Sequence, residues 1–533
     1  MALPTILVNS ATGSDTAASG AGPATAVSGS GATVLTQATS RCAFIGDSVN
    51  LSGVSGDGSH VLFINDSTAG ARNFAAIVEV ISQVVDSGSV DIGVDSDLLT
   101  VSGGDVFASG AIVKIVGAGA AGADLIATVS ALGSGQYQID PAASTTVSGA
   151  TVTQYNQVRV NSSQTLTATG SAKGWAIGGK RSAIGTTLSR KLFETNGTAG
   201  DAMPGWIIEM ESGHTETISS GIWWRRSGDA TDGRMTLKGT YGAASRPKIT
   251  WTGSTTAILL NGGGFNRHYI ATFDVERNIT GSAGGVAFNM TGGYITMENL
   301  KVTSIGTSNW DGVFYGADTG TIVRNCYGEK CNTGTYQANV FYSYLKTCAT
   351  AAINITNASG ARFVIGNIIY NAAIGIDVNN YSYPKIILNN TIYADTGTPV
   401  GVAINANSGG VHYTQCVMNN IINGCTTAFV VDGTSPSAVD ACLATGWLFD
   451  SNVIYNCTNQ ITSGYESLLT DTSTANPQFA NPATGDFSVG TNMKAIGFPT
   501  TVFGFSATRS YNDAGAAQRQ EPTGSGGEHS YII

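Results

Sequence analysis

The chain has 533 residues, with 26 Lys and Arg against 36 Asp and Glu and a formal net charge of −10. That balance cannot neutralise a phosphate backbone, so no nucleic-acid partner is expected. With 69 glycines and only 12% charged residues, the composition suits tightly turned β-structure better than helix or disorder.

Residues 1–40 are rich in Ser, Thr, Gly and Ala and read as an N-terminal extended arm. The start, MALPTILVNSATGSD, has no basic region followed by a long apolar run. No later segment is apolar enough to span a bilayer, so neither a signal peptide nor membrane insertion is expected. Residues 41–168 alternate short β-type runs with Gly, Ser and Asp turns, which predicts one or two small β-modules serving for attachment. Within them, Gly117-Ala-Gly-Ala-Ala-Gly122 follows the apolar run AIVKIV. It superficially matches a dinucleotide-binding fingerprint, but no strand-helix-strand series surrounds it. Residues 169–200 form a linker. There Leu188, Leu192 and Phe193 fall near helical spacing after Thr186 or Thr187, predicting a short capping helix at about 186–196.

From residue 201 to 470 strand runs recur, and the repeat determines the expected fold. The segments ENLKV, RNCYG, YSYLK, GNIIY, NNTIY, NNIIN and SNVIY align on Asn299, Asn325, Ser343, Asn367, Asn390, Asn420 and Asn452. Their spacing, mostly in the twenties, fits one turn of a parallel β-helix. Asparagines at one corner of successive coils then form a hydrogen-bonded ladder. Five residues further on, Cys348, Ala372, Cys425 and Cys457 share a column expected to be small and buried. Of the eight cysteines, seven lie between Cys326 and Cys457, and none forms a C-x-x-C pair. They read as reduced packing thiols, with no metal and no cofactor expected. Residues 471–533 leave the pattern and read as a C-terminal cap and tail, since an open solenoid end exposes strand edges.

Three kinds of chemistry have candidate residues. Asp274 and Glu276, at i and i+2 of one strand, fall on the same face, and two carboxylates are what glycoside hydrolysis requires. Asp311 and Asp318 lie in a loop-like stretch near aromatics. A lyase would need a base and cations, for which Arg267, His268, Arg277 and Lys301 are the candidates. Glycan binding without cleavage would use exposed aromatic faces, for which Trp224, Trp310, Tyr315 and Tyr342 are the candidates. Trp223 and Trp224 should point to opposite faces of a strand. Packing between subunits accounts for such aromatics equally well.

The closing stretch, with Asn481, Pro482, Gly485, Asp486 and Phe487, then Ala495 and Ile496, then Asp513, Gly515, Ala516 and Gln518, resembles right-handed parallel β-helix proteins of the pectate-lyase-like superfamily. The likeness spans roughly residues 200 to 520. The segment Gly117 to Ala150 is similar to a module found upstream of β-helices in bacteriophage tail spikes and fibres. Trp175 to Arg181 and Gly205 to Met210 also resemble phage virion β-helix proteins. The resemblance implies an all-β, right-handed parallel β-helix on the virion surface, made in the host cytoplasm, homotrimeric, and joined to other virion proteins through its N-terminal region. Which appendage it belongs to is left open by the resemblance, and the leading expectation is a tail spike or fibre that adheres to bacterial surface polysaccharide. A capsid-decorating head fibre and a polysaccharide depolymerase on the same fold stay open beside it, because one fold hosts unrelated activities.

Overall fold

The computed structural model describes, with short breaks, residues 74–160 and 207–490, together with strands and single positions elsewhere between 5 and 199 and residues 493, 515 and 516. The chain divides into two compact units, residues 1–184 with 205–209, and residues 185–204 with 210–533.

The first unit is antiparallel. Strands Val84–Ile92, Leu98–Val101, Ile112–Ile115, Leu125–Gly133, Gln136–Asp140 and Val147–Gln154 close into a barrel. Their alternation sends one set of side chains inward: in Gln136–Asp140, Tyr137 and Ile139 are buried between exposed neighbours. Buried inside with them are Val90, Leu99, Val113 and Val152, and the Tyr137 hydroxyl accepts a hydrogen bond from Phe107 N at 2.9 Å. The Gly117–Gly122 stretch is a tight 3-10 turn between antiparallel strands, Leu125 pairing with Ile115. A Cβ at Gly119 would lie 2.9 Å from two carbonyl oxygens, so the turn itself requires glycine there. A seven-stranded sheet completes this unit. It takes in Thr33–Thr36 and Val27–Ser28, so the stretch read as an arm contributes paired strands.

The second unit is a parallel β-helix. Its coils repeat three strands, as in Asp274–Arg277, Val286–Met290 and Thr296–Glu298, followed by Lys301–Ser304, Trp310–Gly316 and Ile322–Arg324. Each strand pairs in parallel with its counterpart one coil on: Asp274 with Lys301, Phe288 with Phe314, Met297 with Val323. Inward positions stack into apolar columns. One runs Val275, Val302, Gly328, Leu345, Ile369, Ile392, Ile422 and Ile454. Another includes Phe288 and Phe314, whose rings lie 5.9 Å apart and nearly parallel at 7°. Coils that cannot bury their inner face alone are stabilised in this way by their neighbours.

Each coil turns at a two-residue corner. At its first position Thr272, Asn299, Asn325, Tyr342, Gly366, Asn389, Asn419 and Ser451 all have left-handed backbone, with φ between 48° and 70°. This explains the Asn and Gly at most of these sites, since those residues tolerate that region best. At its second position Ser343, Asn367, Asn390, Asn420 and Asn452 are buried and form the ladder. The Asn390 amide donates to Asn420 Oδ1 at 3.0 Å and to Val364 O at 2.9 Å. Its own Oδ1 accepts from Asn367 N at 2.9 Å and from Asn367 Nδ2 at 3.0 Å. The expectation for Asn299 and Asn325 is corrected here. They occupy the left-handed position, and the ladder position on their coils is held by Leu300 and Cys326, as the pairing of Lys301 with Tyr327 and of Tyr327 with Tyr344 requires.

The helix expected near 186–196 lies largely outside the described residues. Its last part, Glu194–Thr195, is a strand paired with Thr198–Ala199. The C-terminal stretch lies along the flank of the solenoid. Phe487 is fully buried against Tyr344, Tyr370 and Tyr393, and Val489 and Met493 cover Ile421 and Val453. Beyond them, Gly515 N donates to Asn419 O and Ala516 N to Thr391 Oγ1.

Candidate functional site

Outward-facing residues of the 18-stranded sheet form two neighbouring columns. One runs Lys248, Asp274, Lys301, Tyr327 and Tyr344. The other holds Thr250, Glu276 and Thr303 and, further along, Glu329, Lys346, Tyr370 and Tyr393. Over the first of these coils lies a groove of about 490 Å³, whose lining includes Lys248, Asp274, Glu276, Lys301, Thr303, Tyr327, Glu329 and Lys330.

Coil stacking sets the electrostatics of this groove. Asp274 lies in register between Lys248 and Lys301 and pairs with Arg246 at 2.7 Å. Arg246 is itself held by the Asn299 carbonyl at 2.7 Å and the Asn299 side-chain oxygen at 3.0 Å. Asn299 therefore anchors a cation beside the groove, a role unrelated to a ladder. Glu276 faces Lys248 at 3.7 Å. The Tyr327 hydroxyl donates to Glu329 at 2.7 Å, Lys346 pairs with Glu329 at 3.2 Å, and the Lys301 ammonium sits 5.8 Å from the Tyr327 ring centre. Burial opposes ionisation of Glu329, but the hydrogen bonds from Tyr327 and Lys346 prevail and hold its carboxyl below the usual range. Burial and the Glu329 carboxylate push the Tyr327 phenol upward, keeping it a donor.

Asp274, Glu276 and Lys301 thus meet in one groove. The other candidates do not join them. Trp224 and Trp310 are fully buried, Trp224 stacked on His268 at 4.4 Å and Trp310 under the Arg277 guanidinium at 5.6 Å. Neither offers a face to a sugar, which corrects their assignment as glycan contacts. Of the adjacent pair, Trp224 points inward, and the Trp223 side chain lies outside the described residues. Tyr315 is half-buried beside Tyr336 on another column, and Tyr342 is 53% exposed at the corner, its ring lying over Gly366. The lyase set is also dispersed. His268 and Arg277 are fully buried and Arg277 donates to the Asn309 carbonyl, while Arg267 lies over Tyr294. Asp311 is exposed and accepts from Asn332 at 2.9 Å, and Asp318 lies outside the described residues.

Lys248, Tyr327 and Glu329 escaped the sequence reading. The coil register could have found them, since each stands one or two coils from Asp274 or Glu276 in the same face pattern. Among the described residues no cluster of three or more His, Cys, Asp or Glu could hold a metal ion, and no helix is long and apolar enough to cross a membrane.

No family model and no curated protein matches the chain. Among solved structures, it is similar to the catalytic unit of a thermostable GH87 alpha-1,3-glucanase from Streptomyces thermodiastaticus, at 13% identity over 85% of this chain and 96% of that one, with a TM-score of 0.25. It is also similar to the Agl-KA catalytic domain, at 11% identity over 84% and 96% with a TM-score of 0.25. A third is the catalytic domain of a GH87 alpha-1,3-glucanase in complex with nigerose, at 10% identity over 85% and 98% with a TM-score of 0.22. Likeness at this level carries no argument about activity, and the parallel β-helix rests on the strand order and register described above.

Proposed function

We propose that the protein engages polysaccharide through the groove on the outer face of its β-helix. The observation that supports this is the groove itself: carboxylates that accept, ammonium groups that donate and the Tyr327 phenol, repeated from coil to coil along one face. A glycan chain has alternating hydroxyl donors and acceptors and apolar ring faces, and such a surface complements it. The setting proposed is adhesion of a homotrimeric phage tail spike or fibre to a bacterial surface glycan. Attachment to a tail or to a capsid would be made by the N-terminal region.

Cleavage is the second reading, favoured by one specific observation. Asp274 and Glu276 line the same groove from one strand, and an i, i+2 pair is separated by about 6.6–6.8 Å along the backbone. Side chains standing on one face at that spacing can bring two carboxyl groups to opposite sides of a glycosidic bond.

The test is binding of the purified full chain to a panel of bacterial capsular and O-chain polysaccharides, with reducing-end release measured on the same samples. At least one glycan should bind, and Lys301→Ala with Glu276→Ala should weaken binding tenfold or more without altering the circular dichroism. Release of reducing ends that disappears in Asp274→Asn or Glu276→Gln would establish cleavage. Binding with no release would leave adhesion. No binding to any glycan, or binding indifferent to these substitutions, would overturn the groove assignment.

A further inference from the structure

The second corner of five coils repeats the design of the first with different chemistry. Lys330, Thr347, Asn371, Gly424 and Asn456 have left-handed backbone, with φ between 53° and 76°. They are followed by Cys331, Cys348, Ala372, Cys425 and Cys457. Two adjacent-coil cysteine pairs result. Cys331 and Cys348 are in register, with sulfurs 3.2 Å apart. Cys425 and Cys457 lie midway between the in-register pairs Asn423 with Tyr455 and Thr427 with Asn459, which sets them side by side on neighbouring coils. Adjacent strands of a parallel sheet are about 4.8 Å apart, inside the Cα separation of about 4.4–6.8 Å that a disulfide spans. In-register cysteines on neighbouring coils thus fall within the Cα range, and closing the bond brings their Cβ atoms together to about 3.5–4.5 Å.

We propose that Cys425 and Cys457 are a redox-active thiol pair, converted by low-molecular-weight disulfides into a covalent staple between two successive coils.

The two pairs differ in access. Cys331 and Cys348 are both buried, whereas Cys457 is partly exposed with Cys425 buried behind it. The contact between the two thiols raises Cys425 and lowers Cys457. The contact between Cys331 and Cys348 raises Cys331 in the same way, so exposure is what separates the two pairs. The thiolate is the attacking species, so Cys457 is the entry point and Cys425 the resolving thiol. Cys416, also partly exposed, has Ile386 and Leu448 around it on its own face and no thiol in register.

The exchange balances in two steps. The Cys457 thiolate attacks one sulfur of the small disulfide, forming a mixed disulfide and expelling a thiolate that takes up a proton. Cys425 then loses its proton, attacks the Cys457 sulfur and expels the second small thiol. Two protein thiols are oxidised, and one disulfide is reduced to two thiols.

The full chain, fully reduced and then incubated with oxidised glutathione, should show a fall from eight titratable thiols to six after unfolding. Peptide mapping should join Cys425 to Cys457, and dithiothreitol should restore the count. Cys425→Ser should trap a stable glutathione adduct on Cys457, and Cys457→Ser should abolish reaction at this corner. Retention of all eight thiols, a linkage between other cysteines, or an unchanged reaction in Cys457→Ser would overturn the proposal. The unsubstituted protein alone decides the matter if a variant fails to fold.

Discussion

Asn390 shows how much a single side chain carries in this fold. Its amide satisfies four buried partners, on the coils to either side. Alanine there would leave Asn367 N without its partner and take one bond each from Val364 O, from Asn367 Nδ2, which keeps Val340 O, and from Asn420 Oδ1, which keeps Asn390 N. Each buried polar group left without a partner costs about 1–3 kcal/mol. Asn390→Ala should therefore lower stability by about 1–3 kcal/mol, read as a shift of the denaturant midpoint. Asn390→Ser should cost less, because Ser343 already holds the ladder position on another coil, its hydroxyl accepting from Cys326 N and donating to Phe341 O. Equal losses in the two variants would show that the amide network is not what stabilises the corner. The one-residue error over Asn299 and Asn325 belongs to this scale too. Asparagine is favoured at both corner positions for different reasons, left-handed backbone at the first and amide laddering at the second, so a run such as ENLKV is ambiguous until strand register is known.

Among elements, the C-terminal stretch departs furthest from what its sequence suggests. It reads as a plug for an open end, yet its aromatics run along the flank and cover the outward Tyr344, Tyr370 and Tyr393. The physical reason lies in the columns. Where the outward face changes from the charged pairs of Asp274, Glu276 and Lys301 to tyrosine and isoleucine, it becomes apolar and needs a cover. Phe487 supplies it through edge-on contacts with Tyr344, Tyr370 and Tyr393 at 5.7–6.1 Å. Phe487→Ala should cost about 3–5 kcal/mol if the cavity stays open. It should also raise amide exchange across residues 476–490 more than in the coils beneath. Exchange that rises equally in both would mean that the strap and the coils open together.

For the whole molecule, the second sheet of the solenoid presents an outward row of Phe363, Ile386, Cys416 and Leu448, with Phe363 and Leu448 each 38% exposed. The homotrimer that the sequence resemblance implies would have a use for such a face, because apolar rows of this kind are covered in assemblies. Multi-angle light scattering should then give about three times the 54.6 kDa chain mass, and Phe363→Glu with Leu448→Glu should reduce it. A monomer for the unsubstituted chain would remove the trimer from the reading. Buried charge in the same sheet has a different consequence: Arg362 and Lys385 are in register and fully buried, and burial together with Arg362 pushes the Lys385 ammonium down to about 8.

The sequence by itself determined the solenoid, because a coil that repeats every twenty to thirty residues must place like residues over like. Composition, corner asparagines and inward aliphatic columns all follow from that one constraint. It also singled out Asp274 and Glu276, since alternation along a strand is a local rule. Only the tertiary structure decided the rest. Whether Trp224 and Trp310 face a sugar or the core depends on which side of the wall each strand turns. That Lys248, Tyr327 and Glu329 join the two carboxylates, and that Cys457 lies beside Cys425, depends on register between coils. Register is a non-local property: it accumulates from loop lengths that differ from turn to turn, and no short segment encodes it.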